Sequence, residues 1–231
     1  MDIELHYEEA GDANALPLIL LHGNGESGAY FKNQIPYFSS RFRVIALDTR
    51  GHGKSPRGAA PLTIKQFAED LNEFMEEKGI ACAAILGFSD GANIAIEFAL
   101  NHPEKLKALI LNGGNLNTAG VKRRVQIPIE FGYRIAKRFA GKSPEAAANA
   151  EMLSLMVGQP NISPEELSRI AVPTLVICGT NDMIKDSHSR LIAKSIPNAK
   201  FSVLKGDHFI AGKEPEAFNR EVDVFLDSIG L

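Results

Sequence analysis

Residues 87–91, of sequence G-F-S-D-G, place Ser89 between two glycines. An apolar run at 81–86 precedes this segment and a helical pattern at 92–100 follows it, which predicts a strand, a sharp turn and a helix. A residue at such a turn takes a strained backbone conformation, and larger side chains at 87 and 91 would collide across the turn. The serine hydroxyl would then lie above a sheet and at a helix N-terminus, where negative charge is stabilised. This pattern is typical of a nucleophile elbow, and a glycine-rich turn with an N-capping serine is the alternative.

A serine hydroxyl is a weak nucleophile, so it needs a base within hydrogen-bonding reach and an acid that orients the base. Asp182 follows the apolar segment 173–178, and His208 follows a predicted strand at 200–204. The order Ser89, Asp182, His208 is the chain order expected after such an elbow. We therefore expect His208 to remove the Ser89 proton and Asp182 to hold the histidine tautomer.

Other residues compete for these roles. Asp186 is the second choice for the acid, although it falls at the predicted start of a helix. Asp207 is adjacent to His208, and neighbouring side chains diverge. His22 and His52 are interpreted as residues that hold their loops. The remaining histidines are expected at the surface: His6, His102 and His188.

Acyl transfer also requires two donors directed at the oxyanion that develops on the substrate. The backbone N–H of Asp90, directly after the serine, is one candidate. The second should come from the loop after the apolar segment 16–21, where Gly23 and Gly25 allow a close backbone approach. We expect Asn24 to supply it through its main-chain N–H.

Strand and helix patterns alternate along most of the chain, which predicts a mainly parallel sheet covered by helices on both faces. Alternation of Ile3, Leu5 and Tyr7 with polar residues indicates a half-buried edge strand at the N-terminus. Ligands of such sheets bind beyond the carboxyl ends of the strands. All of the candidate residues above follow a predicted strand, so we expect them to meet at that edge.

The alternation stops between residues 113 and 171, where the patterns are helical, with a third helix expected to begin at Pro164. This predicts a core domain of residues 1–112 and 172–231 with a helical lid inserted at 113–171. Between 121 and 142 the lid contains seven basic residues and one acid, Glu130. Arg123 and Arg124 are candidates to bind substrate, which would favour neutral or anionic acyl groups; the alternative is a solvated helix face.

Composition limits the possible partners. The formal charge of −3 over 231 residues does not favour nucleic acid or an anionic membrane, and no apolar segment reaches 18 residues. Cys82 and Cys178 fall in apolar strand-like segments and are interpreted as buried thiols. The acidic N-terminus does not resemble a signal peptide, so a cytoplasmic location is expected. The expected partner is a small-molecule substrate, and no metal or organic cofactor is implied.

Five segments together resemble the α/β-hydrolase superfamily, in its branch of small lidded serine hydrolases. They are H-G-N-G at 22–25, D-T-R-G-H-G-K-S at 48–55, the elbow at 87–91, G-T-N-D at 179–182 and G-D-H-F at 206–209. The resemblance implies the α/β-hydrolase fold and a Ser-Asp-His triad. One departure is that the N-terminal region is too short for the usual pair of antiparallel strands.

The sequence therefore predicts a serine hydrolase that forms an acyl-enzyme, acting on small neutral or anionic carboxylic esters. Thioesters, lactones, amides or carbon–carbon bonds are alternative substrates on the same fold, and acyl transfer is an alternative outcome. A protein that keeps the fold as a ligand pocket, with little or no turnover, is the alternative from another class.

Overall fold

A computed structural model describes residues 1–231 as a central seven-stranded sheet with helices on both faces. The strand order is β1-β3-β2-β4-β5-β6-β7, and all pairs are parallel except the antiparallel pair of β1 and β3. The strands are β1 (Tyr7–Ala10), β2 (Pro17–Leu21), β3 (Arg43–Leu47), β4 (Ala83–Phe88), β5 (Leu106–Asn112), β6 (Thr174–Gly179) and β7 (Ala199–Leu204). The predicted α/β-hydrolase architecture with a mainly parallel sheet is confirmed.

Eight α-helices accompany the strands. They are α1 (Gln34–Phe38), α2 (Ile64–Glu77), α3 (Asp90–Asn101), α4 (Arg123–Phe139), α5 (Pro144–Gly158), α6 (Asp186–Ser195), α7 (Ile210–Lys213) and α8 (Pro215–Ser228). Thr63 begins α2 by accepting a hydrogen bond from the backbone N–H of Gln66, an arrangement that satisfies a donor of the first turn. No helix combines the length and apolar composition needed to cross a membrane.

Two apolar clusters lie on opposite faces of the sheet, because alternate side chains of each strand point to opposite faces. In β2, Ile19 and Leu21 belong to the cluster under α2, α3 and α6, whereas Leu18 and Leu20 belong to the cluster under α1 and α8. Both faces of the inner strands are therefore buried. This explains why these strands appear in the sequence as continuous apolar segments.

The N-terminal edge of the sheet consists of one antiparallel strand, with Tyr7 opposite Leu47 of β3. The predicted edge strand begins later than expected, because Ile3 and Leu5 precede β1 and Leu5 is packed into the core beside α2. The chain before β1 is held by Asp2, which pairs with the buried guanidinium of Arg50 at 2.7 Å. The short N-terminal region thus provides one antiparallel edge strand.

Residues 113–171 lie between β5 and β6 and contain no strand. In this inserted segment α4 and α5 pack against each other, and Ser143 begins α5 by accepting from the backbone N–H of Ala146. The sequence predicts a third helix that begins at Pro164. This prediction is wrong, because the segment forms only a short 3₁₀ turn, at Glu166–Arg169. An isolated antiparallel bridge between Val121 and Ile184 ties the start of the insertion to the segment after β6.

Candidate active site

Ser89 occupies the turn between β4 and α3 with φ 53° and ψ −117°, and it is the one non-glycine residue of the chain with positive φ. Such a conformation costs about 1–3 kcal/mol and persists only where the surroundings fix it. Here the Ser89 N–H donates to the Asn112 carbonyl at 2.8 Å, and the Ser89 carbonyl accepts from the Ala92 N–H at 2.9 Å. The strained serine is therefore held from both sides.

The two glycines of the turn are required by different contacts. A Cβ at Gly87 would lie 2.2 Å from the Gly91 carbonyl oxygen, which is the collision across the turn that the sequence predicts. A Cβ at Gly91 would instead lie 2.0 Å from the carbonyl oxygen of Leu21, at the end of β2. The expectation of a collision across the turn is thus wrong for position 91, where glycine allows α3 to approach the neighbouring strand.

A continuous hydrogen-bonded chain joins Ser89, His208 and Asp182. The Ser89 Oγ lies 3.0 Å from His208 Nε2, and His208 Nδ1 lies 2.7 Å from Asp182 Oδ1. An ionised carboxylate can only accept, so Nδ1 donates to Asp182 and Nε2 is left as the acceptor for the serine hydroxyl. Both His208 and Asp182 are only 3% exposed, which shields their interaction from solvent.

The carboxylate of Asp182 is positioned by backbone donors as well as by the histidine. Its Oδ1 accepts from the Ile184 N–H at 2.9 Å and its Oδ2 from the Gly179 N–H at 3.4 Å. The imidazole of His208 packs against Gly113, where a Cβ would lie 2.7 Å from the ring Cε1. The loops after β5, β6 and β7 therefore fix Asp182 and His208 together.

The competing acids lie elsewhere. Asp186 begins α6, is exposed, and pairs with Arg190 at 2.8 Å one helical turn away. Asp207 pairs with Lys213, and the ammonium lowers the pKa of its carboxyl. Neither carboxylate contacts His208, so Asp182 alone is in place to orient this imidazole.

The loop after β2 brings Asn24 close to the serine. A Cβ at Gly23 would lie 3.2 Å from the Ser89 Cβ, so the loop passes directly beside the turn. The backbone N–H of Asn24 makes no hydrogen bond within the chain, and neither does that of Asp90, which is a first-turn donor of α3. Two free backbone donors are thus present beside Ser89.

The side chain of Asn24 has a contact that the sequence does not reveal. Its Nδ2 donates to Asp90 Oδ2 and to the Met152 carbonyl of α5, each at 3.1 Å. The other oxygen of Asp90 accepts from Asn93 Nδ2 at 3.2 Å, and burial raises the pKa of this half-buried carboxyl. Asn24 therefore connects the loop after β2, the elbow and the inserted segment.

His22 holds that loop through both ring nitrogens. Nδ1 lies 2.7 Å from the Gly23 carbonyl and Nε2 lies 3.0 Å from the Thr49 N–H. Because the carbonyl must accept and the N–H must donate, the ring is neutral with its proton on Nδ1. Burial lowers the pKa of His22 to about 4. His52 is also buried, and burial lowers its pKa.

The three histidines expected at the surface are half-buried there, and each makes a hydrogen bond. His6 Nδ1 lies 3.0 Å from Asp48 Oδ2, and His102 Nε2 lies 3.3 Å from Glu69 Oε1. His188 accepts from the backbone N–H of Leu116 at 3.0 Å. No local pattern predicts these contacts, because each joins segments that are distant along the chain.

A narrow cavity of about 30 Å³ opens beside Ser89. It lies under the inserted segment, which contributes about half of its lining. The lining residues are Ser89, Asp90, Asn115, Val121, Gln126, Ile129, Met156, Gln159, Met183 and Ile184. Most of these residues cannot be predicted from the sequence, because the faces of α4 and α5 that turn inward depend on how the inserted segment packs.

Arg123 and Arg124, the two arginines of the inserted segment that were expected at the cavity, do not reach it. Arg123 and Arg124 are both exposed, and neither lines the space beside Ser89. The neighbouring Lys122 turns inward instead, and its Nζ donates to the backbone carbonyl of Asp182 at 2.5 Å. The structure therefore brings Ser89, Asp182, His208, Asn24 and Asp90 together and leaves the two arginines outside.

Comparison with known proteins agrees with the fold. Residues 17–152 match the family model described as alpha/beta hydrolase fold. The chain is 30% identical over 96% of its length to a protein of Caulobacter sp. (strain K31) named as carbamate hydrolase RutD, covering 94% of that protein. It is 27% identical over 97% of its length to 3-oxoadipate enol-lactonase 2 of Acinetobacter baylyi, covering 94% of that enzyme.

Among solved structures, the enol-lactonase from Burkholderia xenovorans LB400 superposes with a TM-score of 0.82. The two chains share 25% identity, and the match covers 97% of each. The family match spans more than half of the chain and includes the elbow with Ser89. This protein therefore belongs to the α/β-hydrolase fold family and is a hydrolase of that superfamily.

Proposed function

We propose that this protein is a serine hydrolase that forms an acyl-enzyme on small carboxylic esters. The observation that supports the proposal most strongly is the hydrogen-bonded chain from Ser89 through His208 to the buried Asp182. A neutral imidazole with its free nitrogen 3.0 Å from a serine hydroxyl is positioned to accept that proton. A fold that only binds ligand has no chemical need for this arrangement.

In the proposed first half-reaction, Ser89 Oγ attacks the ester carbonyl carbon while its proton passes to His208 Nε2. The imidazolium that forms is stabilised by Asp182, which remains ionised. When the tetrahedral intermediate collapses, the bond to the leaving alcohol breaks and His208 returns the proton to that oxygen. In the second half-reaction water attacks the acyl-enzyme, with His208 again accepting and then returning a proton.

The proposed reaction also requires hydrogen-bond donors for the oxyanion, and the free backbone N–H groups beside Ser89 can provide them. We assign the N–H groups of Asn24 and Asp90 to the oxyanion that forms on the carbonyl oxygen. The N-terminal end of α3 adds a favourable potential for negative charge at the same place. Loss of one such donor in a related arrangement costs about 10²–10³ in kcat, so the position of the loop after β2 matters for catalysis.

The inserted segment 113–171 is proposed to act as a lid and to set the acyl group that fits. A cavity of about 30 Å³ has room for only a few non-hydrogen atoms, which favours short acyl groups. No basic side chain lines this cavity, and burial raises the pKa of Asp90, the only carboxyl of the lining. We therefore propose neutral acyl groups, which narrows the neutral or anionic preference expected from Arg123 and Arg124.

The named relatives are consistent with this proposal. One is named for hydrolysis of a carbamate and another for hydrolysis of an enol-lactone, and both names describe attack on a carbonyl bonded to a heteroatom. A simple ester presents the same kind of carbonyl. The relatives therefore support the reaction type, while the choice of ester rests on the geometry of this site.

The proposal is tested by the substitution Ser89→Ala with p-nitrophenyl acetate as substrate. The rate should fall by about 10³-fold or more, to what binding and the oxyanion donors still provide. The variant should keep the free energy of unfolding of the wild type or exceed it, since the strained residue loses no packing contact. Near-normal esterase activity in a folded Ser89→Ala protein would overturn the acyl-enzyme mechanism.

A further inference from the structure

Gln126 of α4 lines the cavity beside Ser89 and is only 6% exposed. Its Nε2 donates to the Met156 carbonyl of α5 at 3.2 Å, which orients the amide. Its Oε1 is shielded from solvent and has no hydrogen-bond partner. Such an oxygen loses its water without replacement. Three other amide oxygens of the chain are buried without a partner, those of Gln34, Asn112 and Asn117, and only Gln126 lines the cavity with Ser89.

The other side-chain acceptors of this lining are satisfied. Asn115 Oδ1 accepts from Asn93 at 3.3 Å, and Gln159 Oε1 accepts from the Ile64 N–H at 2.9 Å. Both carboxylate oxygens of Asp90 accept from asparagine side chains. Gln126 Oε1 is therefore the one amide oxygen of the cavity that a bound molecule can still satisfy.

Gln126 and the proposed nucleophile line the same cavity. Because Ser89 and Gln126 line the same space of about 30 Å³, an acyl group held on Ser89 lies next to the Gln126 side chain. The terminal torsion of glutamine is soft, so Oε1 can turn toward a donor, and that turn exchanges the 3.2 Å bond from Nε2 to the Met156 carbonyl for the new one. The group it would meet is the substituent directly bonded to the carbonyl carbon.

We propose that Gln126 is a specificity-determining residue whose Oε1 accepts a hydrogen bond from an N–H or O–H group on the acyl part of the substrate. This inference rests on the acyl-enzyme function proposed above and names its substrate class, which is short acyl groups with a neutral donor beside the carbonyl. Carbamoyl and 2-hydroxyacyl groups have this property, whereas acetyl and propionyl groups lack it.

A neutral donor fits better than an ammonium group. A buried cation needs a carboxylate partner, and burial raises the pKa of Asp90, which weakens the only carboxyl of this lining in that role. The amide of Gln126 is uncharged and satisfies a neutral N–H or O–H fully. The exposed Arg123 lies outside this cavity and does not add an anion preference.

The test compares phenyl carbamate with phenyl acetate, in which an amino group replaces a methyl group of similar size. In Gln126→Leu, kcat/KM for the carbamate should fall about 10-fold or more relative to that for the acetate, the loss expected for one hydrogen bond. The control Ile129→Leu alters the same lining without a polar atom, and the ratio of the two esters should stay at its wild-type value.

An equal loss on both esters in Gln126→Leu would overturn the proposal, because it would show that Gln126 only joins α4 to α5. If that variant does not fold, the proposal is tested on the wild-type protein instead. Phenyl glycolate should then be preferred about 10-fold or more over phenyl propionate, after correction for their uncatalysed rates, and equal corrected rates would overturn the proposal. Absence of turnover of every one of these esters by wild type would instead overturn the proposed function itself.

Discussion

The imidazole Nδ1 of His208 lies 2.7 Å from Oδ1 of Asp182, and both side chains are almost completely buried. The two residues are 26 positions apart in the sequence and come from the loops after β7 and β6. Since backbone N–H groups also hold Asp182, the carboxylate cannot turn away without losing several bonds at once. Asp182 therefore fixes the tautomer that leaves His208 Nε2 free to accept, as the proposed base must.

Asp182→Asn tests this relationship. The amide would keep the shape of the side chain but could present its NH₂ to the ring, which favours the wrong tautomer, so kcat should fall by about 10⁴-fold. The matched control is Asp186→Asn, on the exposed face of α6, which should leave kcat unchanged. The measurement is steady-state hydrolysis of p-nitrophenyl acetate, and a harmless Asp182→Asn with a severe Asp186→Asn would reverse the assignment of the acid.

Gly91→Ala tests the packing of the elbow. The added methyl group would lie 2.0 Å from the carbonyl oxygen of Leu21, so the free energy of unfolding should fall by about 3 kcal/mol or more. The control is Gly132→Ala in α4, where no atom lies within 4 Å of the new Cβ. There the better helix propensity of alanine should raise stability by up to about 1 kcal/mol. Urea unfolding of the three proteins gives the comparison, and equal effects at both positions would contradict this packing.

The pH dependence of stability should reflect His22. Its pKa is about 4 in the folded protein, below the value of about 6.5 for an unfolded histidine. Between these values the unfolded chain binds more protons, so stability is lost as the pH falls through this window. The loss from His22 between pH 7 and pH 5 should be about 2 kcal/mol.

Urea unfolding at the two pH values measures this loss. His22→Asn, which cannot titrate, should lose correspondingly less stability between pH 7 and pH 5 than wild type. The lowered pKa of His52 adds to the wild-type loss and remains in the variant. The raised pKa values of Glu26 and Glu97 act in the opposite direction in both proteins, so the comparison of the two proteins isolates His22. An equal change between pH 7 and pH 5 in wild type and in His22→Asn would contradict a neutral, buried His22.

Much of the fold could be predicted from the sequence, because a buried parallel sheet leaves continuous apolar segments that alternate with helical patterns. The positions of Ser89, Asp182 and His208 were predictable for a related reason. Each follows an apolar strand, and the carboxyl ends of parallel strands meet at one edge of the sheet. Local patterns and topology together are enough to place such residues near one another.

The inserted segment was less predictable, because its role depends on which faces of its helices turn inward. The basic residues Arg123 and Arg124 suggested a charged substrate contact, yet the cavity is lined by Gln126 from the next turn of the same helix. The bond from Asn24 to the Met152 carbonyl likewise joins positions 128 residues apart. Contacts of this kind follow from tertiary packing and leave no periodic signal in the sequence.

The central claim is that Ser89 Oγ is the nucleophile. A fluorophosphonate probe reacts with an activated serine to form a stable adduct, and a tryptic peptide of residues 79–105 contains Ser89 as its only serine. Mass spectrometry of probe-treated wild type should find the adduct on this peptide, and Ser89→Ala should remain unlabelled. A folded wild type that forms no adduct, or an adduct that persists elsewhere in Ser89→Ala at the wild-type level, would contradict the account.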